Sequence, residues 1–319
     1  MALALLAGGS APAAAQVVPA DGSIRVIAKA VPLNPENPRQ TRVGRLTYAG
    51  GVELSSPDTS RLHGVSGIDV EPDGRTFVAV TDEGDLVQGR LRLTQAGRLV
   101  GVEQVTLRPL GGEDGRPLQG KQEADAEDIT LLPGGGFAVS FERDHRVLAY
   151  AGTKARALFR AGSAKAREMG LSENGGLEAL THDGSGMFAG SEAGAVWAIR
   201  GGAATGPNLA PEPPRGFSLT GLDAAAGPDW IGVYRAFSLF GGMRAVIAAL
   251  PAPRCIRAPC EAPHGLIELA RLAAPLTVDN FEGVAATPRP GGGWRFYIVS
   301  DDNFSPRQRT LLLAFDWSP

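Results

Sequence analysis

The stretch Asn280-Phe281-Glu282-Gly283-Val284-Ala285-Ala286-Thr287-Pro288-Arg289-Pro290-Gly291-Gly292-Gly293-Trp294-Arg295-Phe296-Tyr297-Ile298-Val299-Ser300-Asp301 reads as one hairpin. An apolar run opens on an acid, a Pro/Gly turn reverses the chain, and a second apolar run ends on another acid. The same unit recurs four times upstream. Ser66-Gly67-Ile68 leads through Glu71-Pro72-Asp73-Gly74 to a strand from Phe77 that ends at Asp82. Glu127-Asp128-Ile129 leads to Phe137 and Glu142, Glu178-Ala179-Leu180 to Met187 and Glu192, and Thr220-Gly221-Leu222 to Trp230 and Arg235. In every copy the closing residue stands five positions after the start of the second strand. The copies begin 61, 51, 42 and 62 residues apart, from Ser66 to Glu282. Such periods suit propeller blades of about four strands.

Third strands are read at Val87–Leu93, Arg146–Tyr150, Ala195–Arg200, Arg244–Leu250 and Thr310–Phe315, and fourth strands at Leu99–Leu107 and Leu266–Leu272. The last copy has no fourth strand of its own, and Arg45–Leu54 can supply it and close the ring. The fold class expected is therefore all-β, a propeller of five blades, with a sixth degenerate blade left open. The one stretch of helical character is Ala155 to Met169. A β-sandwich would not explain acids recurring in phase.

Composition agrees. The chain has 319 residues, 43% of them apolar and 20% charged, enough for a core. Its 43 Gly and 24 Pro fit many short strands joined by tight turns. With 31 basic and 34 acidic residues the net charge is −3, and no basic stripe appears, so nucleic acid is not an expected partner. Residues 1–15 are apolar and end Ala13-Ala14-Ala15, resembling the h-region and cleavage site of a secretory signal without its basic start. No run of about 20 apolar residues follows, so no transmembrane segment is expected. Residues 16–44 read as an N-terminal extension and 45–319 as a single domain. Cys255 and Cys260 are the only cysteines, and their spacing suits a small disulfide loop in an oxidising compartment. The protein is expected to be periplasmic or secreted.

In such a hairpin the start of the first strand and the end of the second share one mouth of the channel. Five hairpins gather ten side chains there, seven of them carboxylates: Asp82, Glu127, Glu142, Glu178, Glu192, Glu282 and Asp301. These must bind cations, take up protons or turn outward. Hard oxygen donors without clustered His or Cys favour Ca²⁺ as the divalent cation, and Glu127, Glu178, Glu282 and Asp301 are the preferred ligands. The competing reading satisfies the acids by bonds between blades. His63, three residues before Ser66, is a candidate acid or base, and Glu282 and Asp301 are candidate catalytic groups beside it. Arg235, Ser66 and Arg307 are candidates for holding an anionic or ester substrate. His145, His182 and His264 stand in turn-like contexts and are expected at the surface. No GxSxG elbow surrounds Ser66, and no P-loop or Rossmann fingerprint occurs.

Several of these segments resemble the bacterial phytase-like family known for the "esterase-like activity of phytase". The resemblance rests on Val65-Ser66-Gly67-Ile68 with Thr81-Asp82, on Ala126-Glu127-Asp128-Ile129 with Phe141-Glu142, and on Asn174-Gly175-Gly176-Leu177-Glu178. Its most specific part is Asn280-Phe281-Glu282-Gly283-Val284 with Val299-Ser300-Asp301-Asp302-Asn303-Phe304. It implies a secreted phosphoesterase or esterase over Arg45 to Trp317, with Thr220 and Arg235 departing from the acidic pattern. Together with the acids at the mouth, this makes a metal-dependent hydrolase of phosphate esters the leading expectation. A more distant likeness is to calcium-dependent lactonases of the gluconolactonase and paraoxonase type, which implies carboxylic esters or lactones as the alternative chemistry. A non-catalytic propeller that binds a ligand or partner protein at its mouth is the rival class.

Overall fold

The computed structural model describes residues 22–152, 154–172, 175–206, 210–224, 229–251 and 265–318. Five antiparallel sheets follow one another along the chain. Blade 1 comprises Val65–Val70, Thr76–Thr81, Asp85–Leu93 and Leu99–Pro109, from the axis outward. Blade 2 comprises Ala126–Leu131, Phe137–Phe141, Arg146–Tyr150 and Ala155–Arg160. Leu177–His182, Met187–Ser191, Val196–Arg200 and Ala203–Thr205 form blade 3, and Ser218–Asp223, Asp229–Ser238, Gly242–Pro251 and Ile267–Ala273 form blade 4.

Blade 5 is a composite. Asn280–Pro288, Trp294–Asp301 and Leu311–Trp317 are joined by Leu46–Ser55, which pairs antiparallel with Leu311–Trp317 and closes the ring as the repeat requires. Outside it Ile27–Ala30 adds a further edge strand, so part of the segment before Arg45 belongs to this sheet. The fold is a five-bladed all-β propeller.

The second strands are buried on both faces over most of their length, because each sheet packs between two others. Phe137–Phe141 is buried throughout, whereas the outer strand Ala155–Arg160 alternates. That outer position corrects the helical reading of Ala155 to Met169: Ala155–Arg160 is a strand, and only Ser163–Glu168 is helical. His145 is also not at the surface but 5% exposed. Cys255, Cys260, His264 and residues 1–15 lie outside the described residues.

Among the described residues no ladder joins neighbouring blades. Apart from single backbone contacts, such as the Leu219 amide to the Glu192 carbonyl (3.0 Å) and the bridge of Phe159 with Gly202, side chains carry the bonds between them near the axis. Asp69 accepts from the Leu131 amide (2.7 Å) and Asp128 from the Leu180 amide (2.8 Å). The Thr181 hydroxyl accepts from the Ala224 amide (2.8 Å), and Asp223 accepts from the Ala286 amide (2.5 Å). Hydroxyls donate the other way: Ser66 to the Ala126 carbonyl (2.7 Å) and Thr220 to that of Phe281 (3.0 Å). The inner strands approach so closely that a Cβ on Gly67 would stand 2.6 Å from the Cα of Asp128, and one on Gly221 2.4 Å from the Glu282 carbonyl.

Two outcomes are expected. Gly67→Ala must force blades 1 and 2 apart and should lower stability by about 3 kcal/mol, read from urea unfolding. Burial raises Asp69 and Asp85 to about 6, above the usual carboxylate value near 4. The folded state therefore holds these protons more tightly than the unfolded chain. The resulting stabilisation is complete below pH ~4 and lost as the pH rises through 6. Melting temperature in EDTA should fall by a few degrees from pH 5 to pH 8, and Asp69→Asn should flatten that slope.

Candidate metal centre at the channel mouth

Every inner hairpin carries an irregularity at the same place. The pairing slips between Val65 and Gly67, Ala126 and Ile129, Leu177 and Ala179, Leu219 and Gly221, and Phe281 and Gly283. The residues passed over are Ser66, Glu127 with Asp128, Glu178, Thr220 and Glu282. A bulge residue escapes the ladder and its side chain is re-aimed, so the positions that recur in sequence are the bulge residues. The hairpin ends pair as expected: Val65 with Thr81, Ala126 with Phe141, Leu177 with Ser191, Ser218 with Arg235 and Asn280 with Asp301.

Three acids converge most closely. Oxygens of Asp125, Glu127 and Glu142 all lie within 4.8 Å of one another, the one such group among the described residues. All three come from blade 2. Burial is the main cause that raises Glu127 well above its usual range, and the charges of Glu178, Glu282, Glu142 and Asp125 add to it. Burial and the charges of Glu178 and Asp125 push Glu142 up to about 8. Glu178 is raised by burial and by the charge of Glu192, although it accepts from the Gly176 amide (2.9 Å).

Glu282 and Asp301 come from blade 5 and do not belong to the converging trio, although the charge of Glu282 is felt at Glu127. Burial raises Glu282, opposed by Arg235, whose Nη1 stands 2.8 Å away, and by Asn280, which donates at 2.8 Å. Arg235 also meets Glu192 at 3.2 Å and Asn280 at 2.6 Å, so the one basic residue of the series is clamped by its neighbours. Asp301 is held at about 6 by burial, against the pull of the Asn303 amide at 2.6 Å. Asp82 is ion-paired with Lys121 (2.7 Å), yet its second oxygen is buried with no partner.

Other candidates fall into place around this centre. Ser66 is buried, and its hydroxyl is engaged by blade 2. Arg307 is exposed on the loop after Asp301. His63 Nδ1 lies 2.5 Å from Asp302 Oδ2, its side chain is 43% exposed, and the Phe304 ring lies 5.7 Å away. Asp302 is itself fixed by Thr310 at 2.9 Å and by the Gly64 amide at 3.3 Å.

Sequence reasoning missed Asp125, Lys121, Arg143 and Asp302. Asp125 stands two residues before Glu127, immediately ahead of the strand Ala126–Leu131. It is also the hub of two ion pairs, with Lys121 at 2.9 Å and Arg143 at 2.6 Å.

The profile of the phytase-like family, described as "Esterase-like activity of phytase", matches residues 60–304, and the chain belongs to that family. No curated protein matches it in sequence. Similar solved structures include a protein of gluconolactonase type (14% identity, TM-score 0.44, covering 93% of this chain and 97% of that one). A virginiamycin B lyase from Staphylococcus aureus shows 8% identity and TM-score 0.44, covering 92% of this chain and 100% of that one. The β-propeller domain of Cps50 (Swd1) from Myceliophteria thermophila shows 10% identity and TM-score 0.43, covering 94% and 98%. No function follows from likenesses this distant. No helix among the described residues is long and apolar enough to cross a membrane.

Lys121 bridges Asp82 and Asp125, and without it a half-buried and a buried carboxylate are left without that shared cation. Lys121→Met should lower stability by about 1 kcal/mol at low ionic strength, and by less in 0.5 M salt, where the repulsion is screened. Melting curves at the two salt concentrations check it.

Proposed function

We propose that the protein is a cation-dependent hydrolase of ester bonds whose first substrate class is phosphate esters. The observation that carries this reading is the convergence of Asp125, Glu127 and Glu142. Three carboxylates share a small volume in which burial and mutual repulsion raise two of them, an arrangement a divalent cation relieves. The donors are all oxygen, which fits Ca²⁺, and the unpartnered oxygen of Asp82 supports an unmet demand for positive charge nearby. The same acids exclude an anionic substrate unless a cation is bound. When bound, the cation supplies charge neutralisation at the phosphoryl oxygens.

The chain's own groups do the rest. The Asp302 carboxylate accepts a hydrogen bond from the His63 Nδ1–H, which leaves Nε2 as the bare nitrogen of the ring. Nε2 can then take a proton from an attacking water and return it to the leaving alkoxide, while Asp302 stabilises the imidazolium. Arg235, held by Glu192 and Glu282, offers a fixed guanidinium to an anionic group. Glu178 and Glu282 complete the acidic wall. Residues 1–15 support export to the periplasm or beyond, which amino-terminal sequencing of the native protein tests.

With Ca²⁺ the protein should release phosphate from 4-nitrophenyl phosphate, and EDTA should abolish turnover. Glu127→Gln should lose both activity and the calcium-induced rise in melting temperature. His63→Ala should keep that rise and lose roughly 10²–10⁴-fold in kcat. Turnover that persists in EDTA, or in folded Glu127→Gln, overturns the assignment. Hydrolysis of γ-butyrolactone or 4-nitrophenyl acetate instead would keep the site and move it to carboxylic esters. Calcium binding without turnover of any ester would leave a binding propeller.

A further inference from the structure

The second and third strands of blade 4 are longer than those of blades 2 and 3. In blades 1, 2, 3 and 5 the second strand ends at the mouth, at Thr81, Phe141, Ser191 and Asp301. In blade 4 it runs on past Arg235, with Ala236, Phe237 and Ser238 pairing to Arg244, Met243 and Gly242. Three further residue pairs carry the hairpin about 10 Å beyond the rim. Its tip is apolar: Phe237 is 64% exposed, Leu239 89% and Phe240 fully exposed. A soluble surface seldom offers three large apolar side chains within four residues.

Basic groups stand at the base of this finger. Arg244 and Arg271 both lie over the ring of Phe217, at 5.5 and 4.8 Å. Arg271 is neutralised by Glu268, but neither Arg244 nor the exposed Arg215 has a carboxylate within ion-pair distance among the described residues. The neighbouring loop of blade 5 adds the half-exposed Phe304 at the same end of the propeller. Apolar tips with unpaired arginines behind them match a phospholipid surface, whose chains accept the rings and whose phosphates accept the guanidinium groups.

We infer that the blade 4 hairpin is a membrane-docking finger that sets the channel mouth against a phospholipid surface. This is independent of the chemistry at the mouth. Docking there hands the mouth substrates presented at an interface and leaves the opposite end of the propeller in water.

The test is co-sedimentation of the whole protein with phosphatidylcholine vesicles, with and without phosphatidylglycerol, in calcium buffer. The wild type should pellet with both and more strongly with the anionic vesicles. Leu239→Ser with Phe240→Ser should reduce binding by at least about tenfold, with an unchanged melting temperature because both side chains are exposed. A wild type that stays in solution with both vesicles overturns the inference, as does a double variant that pellets equally well. So does gel filtration in which the tip drives concentration-dependent self-association while vesicle binding is absent.

Discussion

Nothing in this molecule holds if the five innermost strands do not meet at the axis. Each blade's ladders are internal to it, and only single backbone bonds such as Leu219 to the Glu192 carbonyl cross between blades, so most contact near the axis comes from side chains and from shape. Asp69, Asp128 and Asp223 accept backbone amides of the next blade, Thr181 does so with a hydroxyl, and Ser66 and Thr220 donate to carbonyls. A buried carboxylate is a costly acceptor. It is tolerated here because it bonds amides of both its own and the next strand, as Asp128 does with Ile129 and Leu180. Gly67, Gly221 and Gly283 bring neighbouring backbones close enough for these short side chains to reach.

The same constraint produces the mouth. A bulge lets one residue of each inner strand, or two in blade 2, leave the ladder, and what stands there decides what the blade contributes. Where it is Ser66 or Thr220, the side chain ties the ring. Where it is Glu127, Glu178 or Glu282, the side chain adds an acid to a crowded enclosure. Stability and chemistry are thus alternative uses of one backbone position. The acids survive because Lys121, Arg143 and Arg235 offset part of their charge and because some can hold protons at neutral pH.

Much of this was legible in the residues alone. The hairpins, the five repeats and the closing strand Leu46–Ser55 follow from turn chemistry and from apolar runs packed on both faces. The gathering at the mouth followed from hairpin geometry. What could not be read was local. Nothing in the pattern marks Glu127 as a bulge residue or shows that Asp125 joins it and Glu142 while Glu282 turns to Arg235. Pairing of His63 with Asp302 spans 239 residues and depends on ring closure. Ala155–Arg160 escaped notice because an outer strand with one face in water lacks the continuous apolar run of the middle strands.

Closure of the ring by Leu46–Ser55 has a bearing on how the site comes into being. The first and last strands of the ring share one sheet, so during synthesis blades 1 to 4 form an open arc with a strand waiting at its leading end. Until Leu311–Trp317 is available to receive it, the acids of blade 2 and those of blade 5 are not neighbours. Losing a few residues near the carboxyl end would therefore dismantle the mouth without touching any group in it. The carboxyl groups that burial and crowding make unusual would return to being ordinary acids in water.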